Sequence, residues 1–164
     1  MSPLQFREEI VIPILKDFAE FNFYSKAAVN LLMGTVAAES SAHHFAQYVQ
    51  QLGKGKAVSV FQLEPATIDD IFENYLKFRP TLKAKIDRYI NPDKPVHEQV
   101  KWNQALAVIL ARVHYRRVPK ALPHHDDVEN MAAYYKKYYN TIKGKSSEEK
   151  YIATFDEYVG DAAL

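Results

Sequence analysis

The chain has 164 residues, a formal net charge of +1 and no cysteine. Hydrophobic residues make up 48% and charged residues 25%, as in an ordinary globular domain. These values exclude a disulfide framework, a thiolate metal site and a cysteine nucleophile, and the balanced charge by itself indicates neither a nucleic-acid nor a membrane partner.

The N-terminal segment predicts a helix and does not have the pattern of a signal peptide. Phe6, Ile10, Ile14 and Phe18 recur at helical spacing and form an apolar stripe. Charged residues precede a short apolar run that Pro13 interrupts, which is unlike a secretion signal. We therefore expect the chain to have no signal peptide.

A second helix is predicted to run from a cap at Ser25 to about Glu39, and it is apolar almost all round. A helix with this pattern is expected to be central. Its uncharged stretch is shorter than the roughly 20 residues that a membrane span needs, so no membrane insertion is predicted.

The rest of the chain also predicts helices, apart from one short extended segment. Residues 42–52 indicate a third helix, and the alternation near residues 57–63 indicates an extended segment or at most a small β-hairpin. Further helices are predicted from Thr67 with Asp69 and Asp70 in its first turn, from Pro80, over 96–118, over 127–140 and over 147–159. The fold class is mainly α, in a single domain over residues 1–164.

Glu39 stands out because a carboxylate ends the apolar second helix. The negative end of the helix dipole and apolar surroundings both disfavour an anion, so both raise the pKa of this carboxyl group. A carboxylic acid that keeps its proton near neutral pH is suited to general acid catalysis. The alternative is an exposed, ordinary glutamate beyond the helix end.

Three stretches resemble motifs of the soluble lytic transglycosylase and goose-type lysozyme group. The first is Glu39-Ser40 at a helix end. The second is "SVFQLEPAT" over 59–67, which is similar to that group's G-[LI]-[MF]-Q-[LI]-x-P-x-T segment. The third is "AAYYKKYYNT" over 132–141, which is similar to an A-x-Y-N motif. Together with the stretches "DDIFENYL" and "RVHYRRVP", these motifs are most similar to the sequences of small lysozyme-like proteins of tailed bacteriophages.

This resemblance implies a lysozyme-like fold and cleavage of the β-1,4 bond between N-acetylmuramic acid and N-acetylglucosamine in peptidoglycan. It implies that Glu39 is the general acid and base, that Tyr139 approaches this acid, and that no cofactor is needed. It implies substrate-site roles for a set of polar and aromatic residues: Ser40, Ser59, Phe61, Gln62, Tyr139 and Asn140.

Ser59 departs from the group's pattern, which has glycine at this position. Glycine permits a close backbone approach or a positive φ. The alternatives for serine are a narrower groove, a different substrate or a site that has lost activity.

A second catalytic carboxylate is not evident in the sequence. Most glycosidases use two carboxyl groups about 5–9.5 Å apart. The candidates are Glu64, Asp69 and Asp70, and charges at a helix start explain the last two more simply. One acid suffices when the muramoyl 6-hydroxyl attacks, as in lytic transglycosylases, whereas water attacks in lysozymes. The sequence leaves both reactions open.

Two other patterns have an ordinary explanation. The histidines at 43–44 and 124–125 lack the spacing of metal ligands, so no metal site is predicted. Tyrosine pairs four residues apart over 134–139 suit sugar stacking, but core packing is favoured for Tyr134 and Tyr135.

The predicted partners are peptidoglycan glycan strands and phage virion or tail proteins. Lys54 and Lys56 are expected to attract the carboxylates of peptidoglycan. No nucleic-acid partner is predicted. The expected location is a phage virion or the host cytoplasm, with action at the bacterial periplasm or cell wall. One alternative is a non-catalytic phage component that binds glycan or protein through a lysozyme-like scaffold. The other is a helical interaction protein with accidental motif similarity.

Overall fold

The computed structural model describes residues 1–40, 57–140 and 146–164. Helices dominate these ranges and no β-strand occurs within them, so the predicted mainly α class is confirmed. The predicted third helix at 42–52 lies outside the described residues. No helix in the described ranges has both the length and the apolar character of a membrane span.

The α-helices of the described residues are labelled in chain order. They are α1 (Pro3–Phe6), α2 (Ile12–Asp17), α3 (Lys26–Ser40), α4 (Pro65–Asn74), α5 (Pro80–Asp87), α6 (Val96–Gln99), α7 (Gln104–Arg116), α8 (Val128–Tyr135) and α9 (Glu148–Tyr158). Short 3-10 helices occur at Ala19–Phe21, Leu76–Phe78 and Gly160–Ala162. Two π-helical segments, Arg7–Val11 and Lys136–Asn140, directly continue α1 and α8. The second is called the 136–140 π segment below.

Helix α3 lies in the hydrophobic core, as its apolar sequence predicted. The Oγ atom of Ser25 accepts a hydrogen bond from the Ala28 amide at 3.0 Å, which is the predicted N-cap. Every residue from Ala28 to Ala38 is buried. Helix α9 packs along α3, and α8 packs against α9. The last turn of α3 carries Glu39 from this core toward its edge.

Gly34 allows α9 to approach α3 closely. A Cβ atom at this position would overlap the hydroxyl end of the Tyr151 side chain, which belongs to α9. The same hydroxyl group donates a hydrogen bond to the carbonyl of Leu31 at 3.3 Å. Any side chain at residue 34 would therefore push the two helices apart.

The predicted helix over 96–118 is interrupted and forms α6 and α7. The side chain of Asn103 accepts a hydrogen bond from the Leu106 amide at 3.0 Å and caps α7. The side chain of Gln99, at the end of α6, bonds back to the Lys94 carbonyl at 2.8 Å. Asparagine at an N-cap has non-helical backbone angles, so a continuous helix through this residue is excluded.

The helix predicted to begin at Thr67 begins two residues earlier, at Pro65. Proline is favoured at the first helical position because its missing N–H needs no partner there. Asp69 and Asp70 therefore lie beyond the first turn, and their predicted role as helix-start charges is wrong. Asp70 instead forms an ion pair with Arg117, the residue that follows α7.

Candidate functional site

Glu39 is half-buried in the last turn of α3. This burial raises the pKa of its carboxyl group above the ordinary value, as its place in the sequence predicted. Two hydrogen bonds act in the opposite direction without outweighing burial. The Tyr135 hydroxyl donates to Oε1 at 2.7 Å, and Nδ2 of Asn140 donates to the same oxygen at 3.3 Å. The carboxyl group is thus held in place, and its pKa remains above the ordinary value.

The two carboxyl oxygens of Glu39 are in different situations. Both donors bond to Oε1, and within the described part of the chain no hydrogen bond reaches Oε2. In the neutral form of the acid, the oxygen that accepts both hydrogen bonds is the carbonyl oxygen, and Oε2 is the oxygen that carries the proton. The group therefore has one oxygen fixed by two donors and one oxygen that accepts no hydrogen bond from the described residues.

The 136–140 π segment explains how residues five positions apart reach one carboxyl group. In an α-helix a residue neighbours those three and four positions away, whereas a π turn pairs residue i with residue i+5. Tyr135 ends α8, and Asn140 ends the π segment. The wider turn brings both side chains to the face that meets α3. Such turns occur frequently at functional sites.

Lys136 fixes the side-chain amide of Asn140. Its Nζ atom donates to Oδ1 of Asn140 at 2.9 Å and to the Ser146 carbonyl at 2.7 Å. Because Lys136 occupies Oδ1, the amide must present its Nδ2 donor to Glu39. The charges of Lys136 and Lys150 also lower the pKa of Glu39, by less than burial raises it.

Burial and then the charge of nearby Glu39 raise the pKa of Tyr139, but within the described ranges no hydrogen bond joins the two side chains. The Tyr139 hydroxyl donates to the backbone carbonyl of Phe61 at 2.7 Å. Its ring stacks on Tyr115 with centroids 5.0 Å apart and on Tyr135 with centroids 6.0 Å apart. The tyrosine that bonds to Glu39 is Tyr135, which sequence reasoning assigned to the core. Only knowledge of the π turn would have selected it.

Ser59 and Gln62 shape a tight turn closed by an antiparallel bridge between Val58 and Leu63, where the sequence predicted at most a small hairpin. Ser59 has φ of 67° and Gln62 has φ of 49°. This left-handed region is most easily occupied by glycine, the residue that the resembled group has at the first of these positions. The Ser59 hydroxyl accepts a hydrogen bond from the Phe61 amide at 3.2 Å, which offsets part of the strain.

Several predicted substrate-site residues organise the backbone instead of facing solvent. The side chains of Ser59 and Phe61 are 1% and 0% exposed, which leaves no side-chain surface there for a ligand. Gln62 donates from Nε2 to the Ser59 carbonyl at 2.9 Å and is half-buried. Ser40 is buried and donates to the Val36 carbonyl at 2.6 Å, within its own helix. Of the predicted set, Asn140 is the residue that bonds to Glu39.

A row of polar side chains links α4 and α7 to the π segment. Arg117 pairs with Asp70 and donates to Nδ1 of His114 at 2.6 Å. Because arginine only donates, Nδ1 accepts and the ring proton lies on Nε2. His114 also hydrogen bonds to the backbone of Tyr139, and its burial lowers its pKa to about 4. A neutral histidine thus fixes the segment that presents Asn140.

The described ranges contain no group of three or more metal-ligating side chains. His124 bonds to Asp126. The other sequence candidates, His43, His44, Lys54 and Lys56, lie outside the described residues.

Comparison of the chain with models of known protein families, with curated proteins and with solved structures finds no match. The site is therefore interpreted from its geometry. It holds a half-buried carboxylic acid with a raised pKa, fixed by a phenol and an amide. Such a group delivers a proton to a leaving group and takes one back from a nucleophile.

Proposed function

We propose that this chain is a muralytic glycosidase with a lysozyme-like fold. It cleaves the β-1,4 bond between N-acetylmuramic acid and N-acetylglucosamine in peptidoglycan. The observation that carries the proposal is Glu39, an acid with a raised pKa whose Oε1 is fixed by Tyr135 and Asn140. The motif resemblance over 59–67 and 132–141 supports the choice of substrate.

The reaction begins with transfer of the proton on Oε2 of Glu39 to the glycosidic oxygen. The bond between this oxygen and the anomeric carbon breaks, and positive charge develops on the sugar ring. The carboxylate left behind gains from the hydrogen bonds of Tyr135 and Asn140, which strengthen as negative charge appears on it. It then takes the proton of the attacking hydroxyl group, so Glu39 ends the cycle protonated.

The environment of the three candidate second carboxylates favours attack by the muramoyl 6-hydroxyl. Asp70 is paired with Arg117, and Asp69 and Glu64 are exposed on α4 and at its start. A reaction that uses a hydroxyl group of the substrate needs no further carboxylate. It yields a 1,6-anhydro product instead of a reducing end.

Digestion of purified sacculi tests the proposal. The wild-type chain is expected to release soluble muropeptides, and the Glu39→Gln variant is expected to release them at least about a hundredfold more slowly. Mass spectrometry of the products separates anhydro from reducing ends, which differ by one water. Circular dichroism of the variant verifies that its helices are intact.

Two outcomes would contradict the proposal. Full activity of Glu39→Gln would remove this residue from the acid's role. Wild-type chain that binds sacculi without releasing muropeptides would favour a non-catalytic virion or tail component. We place the activity at the bacterial cell wall, reached from a phage particle or from the host cytoplasm.

A further inference from the structure

A second face of α8 and the π segment borders a cavity of about 350 Å³ that Glu39 does not line. Positions 130, 134 and 138 recur every four residues and form a face different from that of positions 135 and 140. The residues that matter for its chemistry are two tyrosines and four polar side chains: Tyr134, Tyr138, His124, Asp127, Asn130 and Lys137.

The two tyrosines give this cavity an aromatic wall. Their ring centroids lie 4.7 Å apart at an interplanar angle of 59°. Tyr134 is fixed because its hydroxyl donates to the Lys120 carbonyl at 3.2 Å. Tyr138 is half-buried, and Nζ of Lys137 lies 5.2 Å from its ring centroid. The cavity thus offers flat apolar surface with polar edges.

The polar side of the cavity is held in one arrangement before any ligand arrives. Asp127 accepts hydrogen bonds from the amide of Asn130 at 3.0 Å and from its Nδ2 at 2.6 Å. Within the described ranges, no donor bonds to Oδ1 of Asn130. His124 is exposed beside them. These groups both donate and accept, as the recognition of hydroxyl groups requires.

The charges around the cavity balance. Lys137 and Asp127 carry opposite charges, and His124 pairs with Asp126. A strongly anionic ligand would face a carboxylate, and a strongly cationic one would face an ammonium group. The matching ligand is uncharged, rich in hydroxyl groups, and has an apolar ring face. The cavity volume of about 350 Å³ is near the lower end for small-molecule sites, which suits one or two rings.

We propose that this cavity binds a pyranose residue of a glycan strand, at a position separate from the cleavage site. The aromatic wall takes the C–H face of the sugar, and the pair of Asp127 and Asn130 bonds to its hydroxyl groups. The binding chemistry stands on this cavity alone. Its use in holding a peptidoglycan strand while Glu39 acts rests on the proposed function.

Titration of the isotope-labelled Glu39→Gln chain with chitotriose, followed by amide chemical shifts, tests the site without turnover. We expect the amides of Asn130 and Lys137 to shift. Tyr138→Ala in this background should weaken the affinity measured at these amides roughly fivefold to tenfold, because a ring contact is lost. Tyr24→Ala is the matched control, since Lys16 lies 5.2 Å from that ring in the same type of pair.

A second variant guards against loss of the Tyr138 packing. Ala133 lines the cavity, and Ala133→Gln fills it with a good helix former, so the same loss of affinity is expected with an unchanged melting temperature. Shifts confined to residues around Glu39 would overturn the inference. Equal affinities in Tyr138→Ala and Tyr24→Ala would do so as well.

The experiment separates this inference from the proposed function. If the wild-type chain releases no muropeptides but Asn130 shifts with chitotriose, the glycosidase proposal fails and the glycan site stands. If the wild-type chain digests sacculi and Asn130 does not shift, the glycan site fails and the glycosidase stands.

Discussion

Tyrosine hydroxyls contact α3 in two regions, the middle of the helix at residues 31–35 and the acid end at residues 39–40. In the middle, Tyr151 donates to a backbone carbonyl and Tyr115 bonds to the Thr35 hydroxyl at 2.7 Å. At the acid end, Tyr135 donates to Glu39 at 2.7 Å. Burial raises the pKa of all three phenols, so each is a neutral donor at neutral pH.

The two regions differ in the group that receives the hydrogen bond. A carbonyl or hydroxyl acceptor stays uncharged, so the two hydrogen bonds at the middle of α3 contribute only to stability. The Glu39 carboxyl group changes charge when it transfers a proton, so the strength of its bond to Tyr135 changes with it. The same residue type, in similar burial, therefore supports packing in one region and, under the proposed function, reactivity in the other.

The largest expected effect is at the acid end, in Glu39→Gln. Glutamine keeps the size of the side chain and an Oε1 atom that accepts from Tyr135 and Asn140, but it has no proton to transfer. Muropeptide release should fall by roughly a hundredfold to ten-thousandfold, the contribution of a general acid. A loss below tenfold would place the reactive group elsewhere and end the distinction between the two regions.

The same variant should be more stable than the wild type at pH values above the folded pKa of Glu39. The folded pKa of Glu39 lies above its ordinary value of 4.5, so the folded state binds this proton more tightly than the unfolded state. Stability is therefore lost as pH rises from the ordinary value through the folded pKa. Glutamine removes this loss. Melting temperatures should differ above the folded pKa and converge in acid; equal values throughout would show that Glu39 ionises as readily in the folded as in the unfolded state.

In the middle of α3, Gly34→Ala should lower the free energy of unfolding by about 3 kcal/mol, because the new methyl group overlaps Tyr151 and overpacks the core. The control is Gly160→Ala, where an added Cβ has no neighbour within 4 Å and the change should stay within about 0.5 kcal/mol. Urea denaturation measures both. Matching midpoints for the two variants would mean that α9 does not depend on this close approach.

Tyr135→Phe and Tyr115→Phe compare the two regions directly, because each removes one phenol hydroxyl. Each should cost about 1 kcal/mol of stability. Only Tyr135→Phe should change the pH dependence of activity. Its hydrogen bond lowers the pKa of Glu39, so its loss moves the alkaline limb of the profile to higher pH. A pH profile that moves in both variants, or in neither, would contradict the assigned roles.

The smallest effects are expected in the turn that Tyr139 holds beside the acid end. Ser59→Gly relieves the positive φ but loses the bond to the Phe61 amide, so stability should change by less than about 1 kcal/mol. Ser59→Ala keeps the strained angle and loses the same bond, and should be the less stable variant by about 1 kcal/mol. Thermal melts rank the two. The reverse order would mean that φ at this position is unstrained.

The sequence predicted the features that depend on local residues. Ser25 caps α3, the apolar run buries this helix, and burial of Glu39 at its end raises the pKa of the carboxyl group. The short turn before Pro65 was also predictable from nearby residues, whereas the burial of Ser59 was not. Local pattern thus located the acid and the general outline of its surroundings.

The residues that bond to Glu39 could not be predicted from local sequence, because they depend on helix geometry and on contacts between distant residues. Four-residue spacing makes Tyr135 and Tyr139 neighbours, and nothing in "KKYYN" signals that a π turn replaces this spacing. Asp70 appeared to be a helix-start charge because its partner, Arg117, is remote in sequence. Asn103 interrupts a predicted helix because its capping bond outweighs the apolar periodicity around it.

The 136–140 π segment makes this site sensitive to chain length as well as to composition. A single π turn is equivalent to one extra residue inserted into an α-helix. Deletion of Lys137 would restore α geometry and leave Tyr135 and Asn140 four positions apart, still on one face of the helix. In an alignment, a one-residue gap here would therefore still allow two donors on the acid, whereas a chain of full length with a regular α-helix would turn its residue 140 about 100° away.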